Sequence, residues 1–248
     1  MRKWKLIALD LDGTTLTKQG VITDATRYWL AQAKAEGVPF TFATGRHWNG
    51  AVKDLVNDLG IEIPVVTSNG AEVHLANGEL VSRHYLPVDE VEFLLQLARQ
   101  TNTHYWGATV EGPVQQAEIP EDVRVHEWLK FGFHASEIDV IQVLWDELSR
   151  KGVYSLSNSH PLNIEVNAIG VTKAAGLADV CKICGVDRSQ LVAMGDSLND
   201  VPMLEWAGLG IAMGNAQESV KLAADWISRR HDEDGVAYAI EMKVLADA

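Results

Sequence analysis

Cysteine is scarce in this 248-residue chain, which carries only Cys181 and Cys184. That scarcity excludes a disulfide-stapled scaffold. The C-x-x-C spacing invites a redox pair or half of a zinc site. A structural zinc needs four ligands, and no second thiol pair exists. A redox pair usually exploits a helix N-terminus, whereas this one precedes Gly185 at an expected helix C-terminus. Ala174, Leu177, Cys181 and Cys184 recur at helical spacing, so the thiols read as core packing. Long apolar runs are also missing, and none approaches the length needed to cross a bilayer. The start, Met1-Arg2-Lys3-Trp4-Lys5 followed by Leu6-Ile7-Ala8-Leu9, mimics a signal peptide. Its apolar run is too short and acids follow at once, so a cytoplasmic location is expected. Positive charge is in deficit as well: 21 Lys and Arg stand against 34 Asp and Glu, for a net charge of -13. Such a surface repels nucleic-acid phosphates and anionic lipid headgroups, so neither partner is expected. A small anion can bind where one pocket locally reverses the sign.

What is present is an ordinary globular composition, 47% hydrophobic and 22% charged, in a chain long enough for a core plus a smaller domain. The first third alternates short apolar runs with helical patterns. Strands are expected at 5–9, 38–43 and 63–66, and helices at 24–36 and 48–59. The last third continues in that style, with helices at 173–184, 200–207 and 216–224 and strands at 191–194 and 209–212. This order argues for an α/β fold, a Rossmann-like parallel sheet with helices on both faces. The middle reads as α-β-β-α-β-β: helices at 88–100 and 136–151, strands at 103–110, 127–134, 153–158 and 163–169. That pattern predicts an inserted α+β domain, an antiparallel sheet with both helices on one face. The boundaries are read as 1–82 and 169–248 for the core and 83–168 for the insertion.

The strongest chemical signal is Asp10-Leu11-Asp12-Gly13-Thr14. The apolar strand before it delivers Asp10 to the carboxyl edge of a parallel sheet, where ligands bind in open α/β folds. Residues two apart on extended chain share a side, so Asp10 and Asp12 can face one site. A carboxylate is already ionised at neutral pH and can attack phosphorus without a base. A second carboxyl group can protonate the leaving oxygen and later activate water. Phe42-Ala43-Thr44-Gly45-Arg46 ends a second strand at the same edge, where the Thr44 hydroxyl and following N–H groups suit phosphate oxygens. Lys173 stands in Gly170-Val171-Thr172-Lys173-Ala174, at a helix start. In Met194-Gly195-Asp196-Ser197-Leu198-Asn199-Asp200 a strand ends and acids follow at once. Asp10, Asp196 and Asp200 make the hard-oxygen set that magnesium prefers.

These four segments, in order and each at a strand end or helix start, resemble the haloacid-dehalogenase-like phosphatases, and the Cof-type group most closely. Ser68-Asn69-Gly70-Ala71, Met213-Gly214-Asn215-Ala216 and Asp232-Glu233-Asp234-Gly235-Val236-Ala237 look like recurring Cof-type segments. The resemblance implies a magnesium-dependent phosphatase acting on a small phosphorylated metabolite. Asp10 would become an aspartyl-phosphate, and Asp12 would serve as general acid and then base. Mg2+ would be bound by Asp10, the backbone carbonyl of Asp12 and Asp196. Thr44, Gly45, Lys173 and Asn199 would hold phosphate, and Asp200 would stand behind the metal or pair with Lys173. A phosphomutase or phosphotransferase would use the same motifs with a substrate hydroxyl as acceptor. A phospho-Asp receiver domain is the remote alternative, since its acceptor lies on a middle strand and it has no use for an inserted domain. Either a monomer or a homodimer is compatible with the sequence.

The pleat of the inserted sheet carries an expectation about specificity. Leu129, Phe131 and Phe133, Ile164, Val166 and Ala168, and Trp106, Ala108 and Val110 are expected under the helices. That leaves Trp128, Lys130, Gly132 and His134, Asn163, Glu165 and Asn167, and Tyr105 and Thr109 on the open face. By the resemblance that face is a lid over the site, so Trp128, Lys130, His134 and Glu165 are expected to contact the leaving group. The inserted domain has six Lys and Arg against thirteen Asp and Glu, which favours a polar or weakly charged leaving group over a second large anion.

Overall fold

A computed structural model describes residues 3–246, so the first two residues of the basic start lie outside it. The chain opens with β1 (Leu6–Leu9), α1 (Asp24–Ala35), β2 (Phe40–Phe42), α2 (Lys53–Asp58) and β3 (Val65–Thr67). A hairpin, β4 (Glu72–His74) and β5 (Leu80–Arg83), leads into the inserted layer. There follow α3 (Val88–Gln100), β6 (His104–Thr109), β7 (Pro113–Gln115), β8 (Trp128–His134), α4 (Ile138–Lys151), β9 (Tyr154–Ser157) and β10 (Asn163–Ala168). The chain returns through α5 (Lys173–Cys184), β11 (Leu191–Gly195), α6 (Val201–Trp206), β12 (Leu209–Ala212), α7 (Glu218–Ala223), β13 (Trp226–Ile227) and α8 (Gly235–Ala239).

The core sheet is parallel, in the order β13-β12-β11-β1-β2. β3 adjoins β2 through a parallel bridge between Ala43 and Val66, and heads an antiparallel sheet with β4 and β5. Strands buried on both faces read as continuous apolar runs, and β1 is an example. Its Ile7 and Leu9 pack with Leu30 and Ala33 of α1 and Val236 and Ala239 of α8. Its Leu6 and Ala8 face the other way, against Leu177 of α5, Met203 of α6 and Val220 of α7. Each fully buried aliphatic side chain contributes about 1.5–3 kcal/mol, so this four-residue strand is held firmly where it hands over to Asp10. Cys181 lies buried in the same layer with Cys184 packed against it, and both are free thiols pushed upward in pKa by burial, Cys181 to about 11. The core reading of the pair holds. Among the described residues no helix is long and apolar enough to cross a membrane.

The inserted sheet is antiparallel, in the order β7-β6-β8-β10-β9, and α3 and α4 cover one face with Val91, Leu94, Ile141 and Leu144. β4, β5, β7, β13 and α8 are additions to the expected elements. The face assignment needs correction on β6, at the start of β8 and at the end of β10, where Ala168 packs with Ala108 and Leu129 rather than under the helices. Register passes from Ala108 opposite Lys130 to Thr109 opposite Trp128, which leaves Leu129 as an extra, bulged residue. A bulge breaks the period-two alternation. Phe131 and Phe133 lie under the helices as expected, but Trp128 joins them there, 1% exposed, with Nε1 donating to the Val123 carbonyl at 2.8 Å. Leu129 turns to the other side, against Ala71, Ala108 and Val171. On β6 the expected faces are exchanged: Tyr105 lies under the helices, stacked on Phe131 at 5.9 Å, while Trp106 faces the core domain's cavity. Both alternating sets of β6 carry an aromatic, so periodicity alone did not decide. Gly107 decides it, because a Cβ there would stand 2.6 Å from the Trp128 ring that fills its place.

Candidate active site

Asp10 continues the β1 ladder for one residue, its N–H donating to the Met194 carbonyl at 3.0 Å, and its side chain emerges at the carboxyl edge of the sheet. The chain then turns sharply at Gly13, whose φ is +76°, a left-handed conformation that favours glycine. The turn also passes tightly against Asp196: a Cβ on Gly13 would lie 2.4 Å from Asp196 Oδ2. Thr14 Oγ1 donates to Asp196 Oδ1 at 3.1 Å, and Asn215 Nδ2 bridges the Gly13 carbonyl at 2.8 Å and Asp196 Oδ2 at 3.4 Å.

Lys173, the first residue of α5, is wholly buried and spans the site. Its Nζ lies 2.6 Å from Asp10 Oδ1 and 2.6 Å from Asp200 Oδ1. The second oxygen of Asp200 accepts from the N–H groups of Asp196 and Ser197, both at 2.9 Å. Ligand atoms of Asp10, Asp196 and Asp200 all lie within 4.8 Å of one another. Charge is badly balanced there. Burial, and then the Asp200 charge, push Asp10 well above the usual carboxylate range against the pull of Lys173. Burial and Asp200 likewise push Asp196 up to about 7. Burial alone would lower Lys173, but Asp10 and Asp200 outweigh it and hold it above its ordinary value. One ammonium among three crowded carboxylates leaves an excess of negative charge that a hard divalent cation offsets. The donor set, oxygen only, fits such an ion. Asp200 has both oxygens committed to Lys173 and to backbone N–H groups, whereas Asp196 accepts only from neutral side chains and Asp10 keeps one oxygen clear of Lys173, so these two carboxylates are the ones placed to face a cation.

Asp12 stands on the open side of the turn, gripped by Arg46 in a bidentate pair, Nε to Oδ2 at 2.7 Å and Nη2 to Oδ1 at 2.5 Å. Thr44 is buried at the end of β2, where its hydroxyl accepts from the Arg46 N–H at 3.1 Å. No regular helix starts directly after it: an irregular turn over 48–52 precedes α2. Gly45 lines the cavity, and so does Asn199, whose Nδ2 donates to Asn69 Oδ1 at 3.3 Å and whose Oδ1 is buried without a partner.

The inserted sheet lies over this edge. Lys130 Nζ donates to the Gly45 carbonyl at 2.8 Å and pairs with Glu165 at 3.0 Å. Glu165 also accepts from Asn69 Nδ2 and Ser159 Oγ, both at 2.6 Å. Burial would raise Glu165, yet Lys130, Ser159 and Asn69 hold it below its ordinary value. Between the core sheet and the inserted sheet lies a cavity of about 490 Å³ whose walls include Asp10, Asp12, Arg46, Trp106, Lys130 and Glu165. Of the four residues expected on the open face, Lys130 and Glu165 line this cavity. Trp128 does not, because the bulge sends it into the helix-side core, and His134 lies exposed at the end of β8, away from the cavity walls. Sequence reasoning quoted Arg46, Asn69 and Asn215 within their segments without giving them a role, and it placed Trp106 under the helices. For Asn69 the available signal was its place in the Ser-Asn-Gly turn, where it adopts φ +61°.

The family model for haloacid dehalogenase-like hydrolases matches residues 7–127 and 110–240. The chain is 42% identical over 241 residues to the 5-amino-6-(5-phospho-D-ribitylamino)uracil phosphatase YcsE of Bacillus subtilis (strain 168), covering 97% of this chain and 96% of that one. It is 30% identical to YitU of the same organism, a phosphatase of the same description, with 94% of each chain covered. A solved haloacid dehalogenase-like hydrolase from B. subtilis superposes with a TM-score of 0.85 at 26% identity, covering 96% of this chain and 99% of that one. The chain belongs to the haloacid dehalogenase-like hydrolases. Within them it is a phosphatase of the Cof-type group, as the order of its motifs and its inserted layer imply.

Proposed function

We propose that the protein is a magnesium-dependent phosphatase that works through a phosphorylated Asp10, with 5-amino-6-(5-phospho-D-ribitylamino)uracil as its substrate. The observation that carries the mechanism is the Asp10–Lys173–Asp200 chain at the edge of the sheet, with both contacts at 2.6 Å. Lys173 occupies one oxygen of Asp10 and favours its ionised form, leaving the other oxygen to attack. As an Asp10 oxygen bonds to phosphorus, the bond from phosphorus to the leaving oxygen breaks, and Asp12 delivers its proton to that oxygen. Asp12 then takes a proton from water as the water oxygen bonds to phosphorus and the Asp10–phosphorus bond breaks. Asp10, Asp196 and the Asp12 carbonyl would hold magnesium, which when bound offsets the charge of the phosphoryl group. Thr44, Gly45 and Asn199 would steady phosphate oxygens, with Arg46 released from Asp12 to join them.

The substrate reading rests on the two relatives of that activity and on the cavity. A ribitylaminouracil is polar and uncharged, as an acidic inserted domain favours, and about 490 Å³ admits a leaving group of that size. The test is phosphate release from this ester and from a panel of sugar phosphates, with magnesium and after chelation. The expected result is the highest kcat/KM for the uracil ester and no turnover after chelation. Full activity without a divalent ion overturns the metal, and a sugar phosphate preferred by about tenfold or more overturns the substrate.

A further inference from the structure

The strands of the inserted sheet carry aromatics at Tyr105, Trp106, Trp128, Phe131, Phe133 and Tyr154, and all but Trp106 belong to the cluster under the helices. Trp106 instead lies on the wall of the cavity that contains Asp10. A large aromatic left facing a water-filled space gains little unless something covers it. Its position is built. Trp106 pairs across the sheet with Gly132, and Glu165 follows in the same row. A Cβ on Gly132 would stand 2.3 Å from Trp106 Cε2 and 2.5 Å from Cζ2, so the indole can cross β8 only because that residue is glycine. The Lys130 ammonium, pinned by Glu165 and the Gly45 carbonyl, stands 4.8 Å from the ring centroid and holds the indole by a cation–π contact. The neutral amides of Asn49 and Gln115 line the same cavity.

We propose that Trp106 is a specificity-determining residue: its indole, laid across Gly132, is the wall that receives a planar heteroaromatic ring of the leaving group. The inference rests on the phosphatase reading of this site and adds the residue that would read the ring. Flat ring on flat ring is sequence-tolerant and strong, and the cavity's amides can satisfy the polar edge of a pyrimidine.

The test compares two esters that share the phosphoryl group and the ribityl chain and differ in the ring: 5-amino-6-(5-phospho-D-ribitylamino)uracil and ribitol 5-phosphate. Their kcat/KM ratio is measured for the full-length wild type, Trp106→Ala, Trp106→Phe and Gly132→Ala. Trp106→Ala is expected to cut the preference for the ring-bearing ester about ten- to a hundredfold, chiefly through KM. Trp106→Phe should keep most of it, and Gly132→Ala should lose part of it because the added methyl displaces the indole. Should Trp106→Ala not fold, the phenylalanine and Gly132 variants decide. A preference that survives both Trp106→Ala and Gly132→Ala, or an equal loss on both esters, overturns the role of Trp106 alone. A wild type with no preference for the ring overturns the substrate reading itself.

Discussion

On the proposed mechanism Asp10 has to be stripped of water to meet phosphorus and yet remain ionised, and its neighbours bear on both demands. Burial and Asp200 push it towards the protonated form, while Lys173 opposes them through a 2.6 Å contact. Asp196, pushed up to about 7, suffers the same crowding without a lysine of its own. A carboxyl raised in the folded protein binds a proton there that the unfolded chain has already released, so it stabilises at low pH and that stability is lost as pH rises through about 7. A divalent cation held by these carboxylates would substitute for those protons. Magnesium is therefore expected to raise the Tm more at roughly pH 8 than at roughly pH 6, read by thermal unfolding with magnesium or chelator; equal shifts at both would argue against a carboxylate site. Asp12 carries the other residue-scale expectation. On the proposed mechanism Asp12→Asn removes the proton donor and should slow turnover about a hundredfold or more, with the fold unchanged by circular dichroism. Near-wild-type kcat in that variant would place the proton transfer elsewhere.

The bulge in β8 is the feature that sets what the lid offers. Because Leu129 is extra, Lys130 reaches the core while Trp128 goes under the helices, and Lys130 meets Glu165 in a buried pair, each about 5% exposed or less. Removing one partner of such a pair leaves the other buried and uncompensated, at about 3–5 kcal/mol, whereas replacing both by apolar groups costs far less. Lys130→Met and Glu165→Leu are each expected to lower stability by that order, and the double variant to recover most of it. A double-mutant cycle in urea measures the coupling, and strictly additive losses would mean that the two do not act as a pair. The parallel core was legible from the sequence because its strands are apolar throughout and stop abruptly at acids or Thr44, so strand ends and site residues marked each other. The hidden parts were those without periodicity. β4, β5 and β7 are short, the bulge leaves no compositional trace, and β6 offers an aromatic on either face. Asn69 and Asn215 act through backbone position and through neighbours more than a hundred residues away, which no local pattern encodes.

At the scale of the whole molecule, an acidic chain has gathered its scarce cations where an anion must enter. Lys173 reaches Asp10, Arg46 grips Asp12, and Lys130 bridges the lid to Gly45. These contacts offset part of the negative charge that Asp10, Asp12, Asp196, Asp200 and Glu165 bring to the site in a protein of net charge -13, and Lys130 ties the inserted sheet to the core there. The Asn158 carbonyl accepts from the Asn199 N–H, and the Ser159 carbonyl accepts from Ser197 Oγ, so the lid's loop rests directly on the loop that carries Asp196 and Asp200. The most direct measurement is rapid acid quench during turnover of the uracil ester, followed by mass spectrometry of the peptides. The expected result is one phosphoryl group on the peptide containing Asp10, appearing within the first turnover and absent from Asp10→Asn. Turnover by the wild type with that peptide unmodified at every quench time, or unimpaired turnover by Asp10→Asn, would contradict Asp10 as the nucleophile.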